Sequence, residues 1–330
     1  MNEISLSIII PCYNSFHHMK RCLEQFEKYC PNDVEIIIVD DCSTDSTYDE
    51  LCKYKEKCLY NLTLLQNEVN SGPGSTRNFG LQHAKGKYIT FLDSDDFFDN
   101  EFWSSILPML KEEYDCILFD AYIYFSDEKK SLYHTMPDRF DDGMLGVKET
   151  IVFVQGSTCG KVYKNSIINR NDIKFLSQNR CEDMPFTKCV VANCSKIKYL
   201  KKPLYMYVQQ SQSLMHNTAL TNSVNAERAF DYIEQKIGDQ FHDEVEAIFI
   251  KELLYTATLQ QFGLKKRREI KDYIKNLELR YPNYLSNKYL AFESKRVKVI
   301  VKNISKKRIF ILRLFTIIKK IHNKVVYKIK

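Results

Sequence analysis

Residues 88–98 read YITFLDSDDFF, an apolar run that ends in a cluster of acids. The run from Tyr88 to Leu92 has the composition of a buried strand. The residues that follow it directly are polar: Asp93, Ser94, Asp95 and Asp96. The spacing of Asp93 and Asp95 brings two carboxylates close to one point, and carboxylate oxygens are the ligands that Mg²⁺ and Mn²⁺ prefer. The stretch therefore predicts a strand with a binding site at its carboxyl end for a divalent metal, which in turn holds a diphosphate.

Predicted strands and helices alternate on the N-terminal side of this stretch. Apolar runs predict the strands, while helical spacing and N-cap residue types predict the helices between them. The strands cover 6–11, 34–41, 62–67 and 87–93, and the helices lie within 16–29, 43–57 and 71–86. This order predicts an α/β fold with a mostly parallel central sheet flanked by helices.

Polar residues gather where the carboxyl ends of these strands should meet, which is the edge at which open α/β sheets bind ligands. They are Tyr13 and Asn14 after the first strand, Asp40 and Asp41 after the second, and Asp93 to Asp95 after the fourth. Arg77 follows a Gly-rich loop at a helix start, where free N–H groups, the helix dipole and a planar cation suit a phosphate. Three alternatives stay open: Asp40, Asp41 and Ser43 cap the following helix, Arg77 is a surface residue, and the acids after the fourth strand form a solvated turn before a helix that Asp96 caps.

The second half of the chain has a less regular pattern. Residues 116–125 read as a strand, 156–171 as a strand or turn that leads into a short helix, and a helix begins near Asp183. Helical periodicity dominates from about 220 to 281. We therefore expect a catalytic domain over 1–218, with halves 1–98 and 99–218, then a helical extension over 219–294 and a tail over 295–330.

Composition describes a globular chain with an unusual distribution of charge. The 330 residues are 44% hydrophobic and 27% charged, with a net charge of +6. From Ser294 onward there are 13 Lys and Arg and no Asp or Glu.

Eleven scattered cysteines without a CxxC pair predict reduced thiols rather than a disulfide framework or a zinc site. The N-terminus lacks a basic region and a cleavage site, so no signal peptide is expected, and no stretch is apolar enough to span a membrane.

Six segments in register resemble the family 2 glycosyltransferases of the GT-A fold. They are SIIIPCYN, IIIVDDCSTDST, NSGPGSTRNFGL, GKYITFLDSDD, CEDMPF and PLYMYVQQSQS, and together they span about residues 4–216. The sequence looks like that of bacterial enzymes that add sugars to capsule, exopolysaccharide or lipopolysaccharide chains. The resemblance implies transfer of a hexosyl or N-acetylhexosaminyl group from a nucleotide-sugar, most often UDP-linked, to a hydroxyl, with inversion at the anomeric carbon.

The resemblance assigns the donor side of the site. It implies that Asp95 binds Mn²⁺ or Mg²⁺ with the help of Asp93, which holds the ribose or a metal-bound water, and that Ser94 between them binds the donor. Asp41 resembles the position that contacts the uracil, while Asp40 shares this contact or shapes the turn. The same edge is lined by Pro11, Tyr13 and Asn14, and Tyr13 is placed to stack on the base. Arg77 is expected to bind the diphosphate. Asp96 lies outside the motif, as a structural residue or a helix cap, and Asn78 and Gly80 read as packing residues.

The resemblance also implies a general base. Asp183 takes this role from the family's Glu-Asp pair, since inversion requires one base on the acceptor side. Glu182 is the second choice, and it orients Asp183 or binds acceptor hydroxyls. The alternative for Asp183 is an N-cap residue before Met184 and Pro185.

Three further residues are singled out with their alternatives. His216 matches a region where some relatives place a third metal ligand or a phosphate contact, and its alternative is a surface loop. Lys161 lies where relatives often have W-x-K-L-Y, but this chain reads CGKVY and lacks the Trp, which argues against an aromatic sugar platform there. Trp103 is expected in the core.

The tail over 295–330 mixes apolar residues with Lys and Arg. A basic amphipathic helix suits an anionic membrane surface, and its alternative is packing on protein or an oligomer contact. We expect a cytoplasmic enzyme at the inner face of the cell membrane, acting on a lipid-linked saccharide, with no nucleic acid partner. A non-catalytic nucleotide-sugar-binding scaffold is the alternative. A nucleotidyltransferase is less favoured because PCYN replaces a Lys-containing phosphate loop after the first strand.

Overall fold

The computed structural model describes residues 3–126, 129–177, 181–209, 223–261, 267–308 and 310–312. The chain divides into two compact units, Met1–Asn217 and Thr218–Lys330, and each is described by itself. The expected boundaries inside the catalytic domain and at the tail stay predictions. The α/β class that alternating strands and helices predicted is confirmed in the first unit.

The first unit contains the strands and seven of the described helices. The strands are β1 (Leu6–Cys12), β2 (Val34–Asp40), β3 (Asn61–Gln66), β4 (Tyr88–Phe91), β5 (Phe97–Phe98), β6 (Cys116–Ser126), β7 (Lys129–Tyr133), β8 (Gly143–Leu145), β9 (Lys161–Lys164) and β10 (Ile197–Val208). The helices are α1 (Phe16–Tyr29), α2 (Thr47–Lys55), α3 (Gly72–His83), α4 (Phe102–Leu110), α5 (Val147–Phe153), α6 (Asn165–Arg170) and α7 (Asp183–Ala192).

Within the described ranges the ten strands form one sheet in the order β3-β2-β1-β4-β9-β6-β10-β5, with β7 beside β6 and β8 beside β10. The strands β3, β2, β1 and β4 are parallel, as predicted. Beyond them β9 runs antiparallel to both β4 and β6, while β10 is parallel to β6. The sheet is therefore parallel around the nucleotide-binding edge and mixed in the second half.

Burial explains why the first two strands read as continuous apolar runs. Every residue of β1 and β2 is buried, because helices cover both faces of the sheet there. Helix α3 packs on both strands. A Cβ atom at Gly80 would lie 2.6 Å from Cγ2 of Ile9, so only glycine allows this close approach of helix and sheet. This agrees with the packing role expected for Gly80.

The second unit is helical over its described part. Its helices are α8 (Ser223–Ile237), α9 (His242–Phe249), a π-helical segment (Ile250–Ala257), α10 (Thr258–Gln261), α11 (Arg267–Arg280) and α12 (Lys295–Ser305), with 3₁₀ turns at Tyr284–Ser286 and Lys288–Phe292. Helix α12 packs against the π-helical segment. Among the helices that can be described, none is both long and apolar enough to cross a membrane.

Candidate active site

The loops after β1 and β2 are joined to each other. The side-chain Oδ1 of Asn14 accepts a hydrogen bond from the N–H of Thr44 (2.8 Å), and the N–H of Asn14 donates to Oγ of Ser43 (2.9 Å). Asn14 reaches this position with a φ of +48°, in the left-handed region that Asn tolerates. Pro11 is buried in β1 and Tyr13 is 44% exposed, so an apolar ring is available at this edge.

The two acids after β2 have different partners. Asp40 is fully buried, and its carboxylate accepts hydrogen bonds from the N–H and hydroxyl of Ser43 and from Nε2 of Gln66 (3.1 Å). These bonds close the turn after β2. Asp40 therefore shapes the turn, which is one of the two roles considered for it.

Asp41 contacts the loop that leads into α3. Its Oδ1 accepts hydrogen bonds from the N–H of Ser71 (2.8 Å) and from Nδ2 of Asn67 (2.7 Å), and its Oδ2 accepts from the N–H of Gly72 (2.8 Å). The negative charge is favourable at this helix start. The capping alternative considered α2, whereas the helix that Asp41 stabilises is α3.

The acids after β4 have two different roles: Asp96 is structural, whereas Asp93 and Asp95 are available for a ligand. Asp96 is buried, and it accepts hydrogen bonds from the hydroxyl of Tyr205 (2.5 Å) and the N–H of Val208 (2.7 Å), both in β10. Asp96 therefore fastens this loop to β10. Asp93 and Asp95 remain for a ligand. The pKa of Asp95 is raised by its burial and by the charge of Asp93, so the charged form of this carboxyl is disfavoured.

Arg77 brings three carboxylates from distant parts of the sequence together. Its Nη2 lies 2.7 Å from Oδ1 of Asp93, while its Nη1 lies 3.0 Å from Oδ1 of Asp183 and 3.4 Å from Oε1 of Glu182. Only 4% of Arg77 is exposed, so it is not the surface residue of the alternative interpretation. The pKa of its guanidinium is raised well above its usual value, because the carboxylates outweigh the effect of burial.

Aromatic rings form an apolar floor beneath this cluster. The rings of Phe175 and Phe186 stack with centroids 3.9 Å apart, Phe91 meets both edge-on, and Cζ of Arg77 lies 5.5 Å from the centre of the Phe175 ring. Burial here disfavours the charged form of a carboxyl group.

The acid pair at the start of α7 has raised pKa values as a consequence. Burial and the neighbouring Asp183 raise the pKa of Glu182 to about 7, against the opposing effect of Arg77. Burial also raises the pKa of Asp183, although Arg77 lowers it in part. A carboxyl group whose pKa moves toward neutrality is suited to accept a proton from a hydroxyl.

The backbone around this pair is tightly constrained. Cys181 precedes Glu182 with a φ of +63°, a conformation that is strained for a residue other than glycine. A Cβ atom at Gly74 would lie 2.5 Å from the carbonyl oxygen of Leu176 and 3.2 Å from Cγ of Glu182. The side chain of Glu182 thus rests directly on the backbone of α3. Oδ2 of Asp183 accepts the N–H of Thr158 at 3.5 Å.

The donor set around Asp93 and Asp95 fits a hard divalent cation. A protein can hold Mg²⁺ with one or two carboxylates when substrate phosphates and water complete the coordination. No group of three or more His, Cys, Asp or Glu suited to a metal occurs among the described residues. His216, the predicted third ligand, lies outside them. Ser94 is half-buried between the two acids.

Other singled-out residues lie where the sequence suggested. Trp103 is buried among Phe26, Phe98 and Phe102 in the core. Nδ2 of Asn78 donates to the carbonyl oxygen of Phe175 at 2.8 Å, so Asn78 is a packing residue. Among the described residues all eleven cysteines are free thiols.

Sequence reasoning missed several residues that organise the site. Asn67 was detectable, because it directly follows β3 at the same carboxyl edge as the other polar residues. Tyr205 lies within the quoted PLYMYV segment, yet its contacts with Asp93 and Asp96 depend on the position of β10. Thr158 gave no signal, since only the backbone N–H is used.

Comparison with known proteins agrees with the fold. The model of glycosyl transferase family 2 matches residues 7–175, so the chain belongs to that family. The poly(ribitol-phosphate) beta-N-acetylglucosaminyltransferase TarS of Staphylococcus aureus is 26% identical over 278 residues, which cover 81% of this chain and 47% of TarS. The poly(ribitol-phosphate) beta-glucosyltransferase of Bacillus spizizenii is 34% identical over 212 residues, covering 62% of this chain and 32% of that one.

A solved structure shares the fold. The crystal structure of S. aureus TarS 1–349 in complex with UDP-GlcNAc superposes with a TM-score of 0.71 at 22% identity, over 94% of this chain and 89% of that one. The likeness confirms the predicted GT-A fold. The chain spans about half or less of the length of the two curated relatives.

Proposed function

We propose that the chain is a metal-dependent, inverting glycosyltransferase that moves a sugar from a UDP-sugar to a hydroxyl of a growing bacterial surface saccharide. The observation that carries the proposal is the position of Arg77. It joins the acid after β4, on the donor side, to the acid pair at the start of α7. In the transfer reaction, the leaving diphosphate and the attacking hydroxyl are both next to one sugar carbon. Arg77 holds the acids proposed for the diphosphate side close to the acids proposed for the hydroxyl side, as this reaction requires.

On the donor side, the chain's own residues hold the nucleotide at the carboxyl edge of the sheet. Tyr13 is exposed there and supplies a face for the base. Asp41 holds the N–H groups of Ser71 and Gly72 in place at the start of α3. We assign the uracil contact to Asp41 together with Asn67, whose amide lies against it.

Asp93 and Asp95 would hold Mg²⁺ or Mn²⁺, which when bound neutralises the charge of the leaving diphosphate. Arg77 reaches Asp93 through Nη2, and so it keeps this carboxylate oriented for the ligand. Since the hydrogen bonds of Arg77 to Glu182, Asp183 and Asp93 hold these carboxylates in place, we assign it a positioning role in addition to the phosphate contact expected from the sequence.

On the acceptor side, Asp183 takes the proton of the acceptor hydroxyl. As this O–H bond breaks, the hydroxyl oxygen forms a bond to the anomeric carbon, and the bond from that carbon to the diphosphate oxygen breaks. The proton remains on Asp183 and the electron pair leaves with UDP. Glu182, whose pKa is raised to about 7, can bind an acceptor hydroxyl as donor or as acceptor.

The relatives narrow the donors that deserve testing first. Two of them are named for transfer of N-acetylglucosamine and of glucose to poly(ribitol-phosphate). We propose UDP-GlcNAc and UDP-glucose as candidate donors, and a hydroxyl-rich, lipid-linked surface polymer as the acceptor.

We also propose peripheral contact with the inner face of the membrane. Helix α12 buries Val297, Ile300, Val301 and Ile304 inside the second unit, so this apolar face is not available to lipid. Its Lys and Arg side chains are exposed, as are those of Lys306, Lys307 and Arg308. The contact is therefore electrostatic over the described part of the tail, and residues 313–330 lie outside that part.

The function is tested by incubating the full chain with radiolabelled UDP-GlcNAc or UDP-glucose, Mn²⁺ and lipid-linked polymer fractions. Transfer or hydrolysis should occur, stop in EDTA, and fall by about 10²–10⁴-fold in Asp183→Asn. UDP binding without turnover on any acceptor, equal in both proteins, would instead favour the non-catalytic scaffold.

A further inference from the structure

A buried lysine lies beside the proposed base. Lys161 begins β9 and is only 1% exposed. Its ammonium donates hydrogen bonds to the carbonyl oxygens of Ser157 (2.6 Å) and Cys159 (3.1 Å). A buried ammonium without acceptors is costly, so Lys161 and the turn 157–160 stabilise each other.

Side chains hold every carbonyl oxygen from Ser157 to Cys159. The hydroxyl of Tyr163 donates to the carbonyl oxygen of Thr158 (3.2 Å), and the hydroxyl of Thr187 donates to that of Ser157 (3.3 Å). Gly160 ends the turn with a φ of +72°, which glycine adopts without strain. The turn therefore has its carbonyl groups directed toward Lys161, Tyr163 and Thr187.

The N–H of Thr158 is directed toward Asp183. It lies 3.5 Å from Oδ2, while Arg77 contacts the other oxygen, Oδ1, at 3.0 Å. Contacts of this length in a ligand-free site often tighten when substrate binds. The turn thus controls one of the two contacts that orient the carboxylate.

The two cations near Asp183 act in the same sense, and Asp93 opposes them. Arg77 lowers the pKa of this carboxyl, Asp93 raises it, and Lys161 lowers it, against the larger effect of burial. Glu182 is a further neighbour, and its own pKa is raised by burial and by Asp183. Lys161 therefore favours the ionised carboxylate, the form that can accept a proton.

We propose that Lys161 is a positioning residue for the transfer reaction, which fixes the turn 157–160 so that the N–H of Thr158 orients Asp183. The proposal rests on the proposed function, in which Asp183 is the base. Nothing in this role requires the Trp that the CGKVY segment lacks, since the lysine acts through the backbone and not through a sugar platform.

A second buried lysine supplies a matched control. Lys188 in α7 is 4% exposed, and its ammonium donates to the carbonyl oxygens of Ile151 (2.6 Å), Val152 (3.4 Å) and Val154 (2.8 Å). These carbonyls belong to the end of α5 and the residue after it. Both lysines thus clamp buried carbonyls, but only Lys161 clamps the turn that contacts Asp183.

The test compares Lys161→Met with Lys188→Met in the full chain. Both variants should lose thermal stability. Lys161→Met should also lose about 100-fold in kcat, with the Kd for UDP and the KM for the donor within about twofold of the wild type, because a displaced base affects the chemical step. Lys188→Met should keep its kcat within about threefold. A folded Lys161→Met protein with the kcat of the control, or with a loss confined to KM, would overturn the proposal.

Two further measurements keep the test decisive. If Lys161→Met does not fold, Tyr163→Phe removes the bond to the Thr158 carbonyl while keeping the ring, and a wild-type kcat in this variant would contradict a positioning role of the turn. With ¹⁵N-threonine labelling, the Thr158 amide resonance should shift in Lys161→Met and stay in Lys188→Met. This measurement needs no turnover, so it tests whether Lys161 fixes the turn even if the wild type transfers no sugar. The absence of transfer by the wild type would reject the proposed function, not the role of Lys161 in the turn.

Discussion

Arg77 and Asp183 are 106 residues apart in the sequence, and Nη1 of the arginine lies 3.0 Å from Oδ1 of the aspartate. The same guanidinium contacts Asp93, at the end of β4. One side chain therefore sets the distance between the proposed metal-binding acids and the proposed base. The catalytic geometry depends on this arginine even though it need not touch the reacting atoms.

Removal of the guanidinium should destabilise the protein. Arg77→Met leaves the buried Glu182 and the partly buried Asp183 without their cation, and breaking a buried ion pair on one side costs about 3–5 kcal/mol. We expect a loss of about that size in the free energy of unfolding, measured by urea denaturation. Arg170→Met is the control: Arg170 is exposed, so its change should stay within about 0.5 kcal/mol. Equal stability of the two variants would contradict the role of Arg77.

Glu182 should make the stability pH-dependent. Its pKa is raised from 4.5 to about 7 in the folded protein, so between these values the folded state binds a proton that the unfolded state releases. The free energy of unfolding contributed by this group therefore falls as the pH rises through that window. Glu182→Gln removes the effect, and its stability relative to the wild type should improve by about 2–3 kcal/mol from about pH 5 to about pH 8.

Urea denaturation at both pH values measures this difference. Glu56→Gln provides the comparison at an exposed site. If the wild type and Glu182→Gln show the same pH dependence, the carboxyl does not hold its proton in the folded state.

Asp95 should determine the response to metal. Its raised pKa shows that the charged form is disfavoured without a cation, so Asp95→Asn should melt at a higher temperature than the wild type in EDTA. With UDP and Mn²⁺ the order should reverse, because only the wild type gains binding energy. Differential scanning fluorimetry tests both, with the exposed Asp49→Asn as control. An unchanged Mn²⁺ response in Asp95→Asn would remove it from the metal site.

Asp183→Asn should separate binding from chemistry. The amide keeps the shape and accepts the Thr158 N–H, but it cannot take a proton at neutral pH. We expect kcat to fall by about 10²–10⁴-fold while the Kd for UDP stays within about twofold, as single-turnover assays and calorimetry would measure. Unchanged turnover on a proven acceptor would exclude Asp183 as the base.

Charge reversal is the appropriate test of membrane contact, because α12 is part of the core of the second unit and its deletion would expose that core. The triple variant Lys295→Glu, Lys302→Glu, Lys306→Glu should lose at least about 100-fold in partitioning to phosphatidylglycerol vesicles, since each basic residue contributes about 1 kcal/mol. Reversal of Lys20, Lys55 and Lys57, which are also exposed, leaves the net charge equal to that of the test variant. Equal binding of both triple variants would reject a specific basic face.

The sequence predicted those parts of the molecule in which the local residue pattern directly reflects burial or strand direction. Strands β1 and β2 are apolar throughout because they are buried on both faces, so their limits were readable. The carboxyl-edge rule then placed Asn14, Asp41 and Asp95 on one side of the sheet. Such positions follow from strand direction alone.

The remainder depended on contacts that no local pattern encodes. The antiparallel entry of β9 between β4 and β6 is set by the packing of the whole sheet. Likewise, Asp41 caps α3 rather than the helix that follows it in sequence. A π-helical segment at Ile250–Ala257 replaced regular helix within a stretch whose apolar spacing predicted only helix. Lys161 could be found in a motif of the sequence, but its proposed effect on Asp183 follows only from the contacts of the turn 157–160 in the structure.

The position of β10 bears on how this protein can be divided. The family match ends at residue 175, yet β10 lies between β6 and β5 in the sheet and carries Tyr205, the anchor of Asp96. A fragment cut at the family boundary would expose the long edge of β6 and leave β5 without its neighbour, and open edges of this kind invite aggregation. The smallest unit worth expressing therefore extends past residue 208, well beyond the stretch by which the family is recognised.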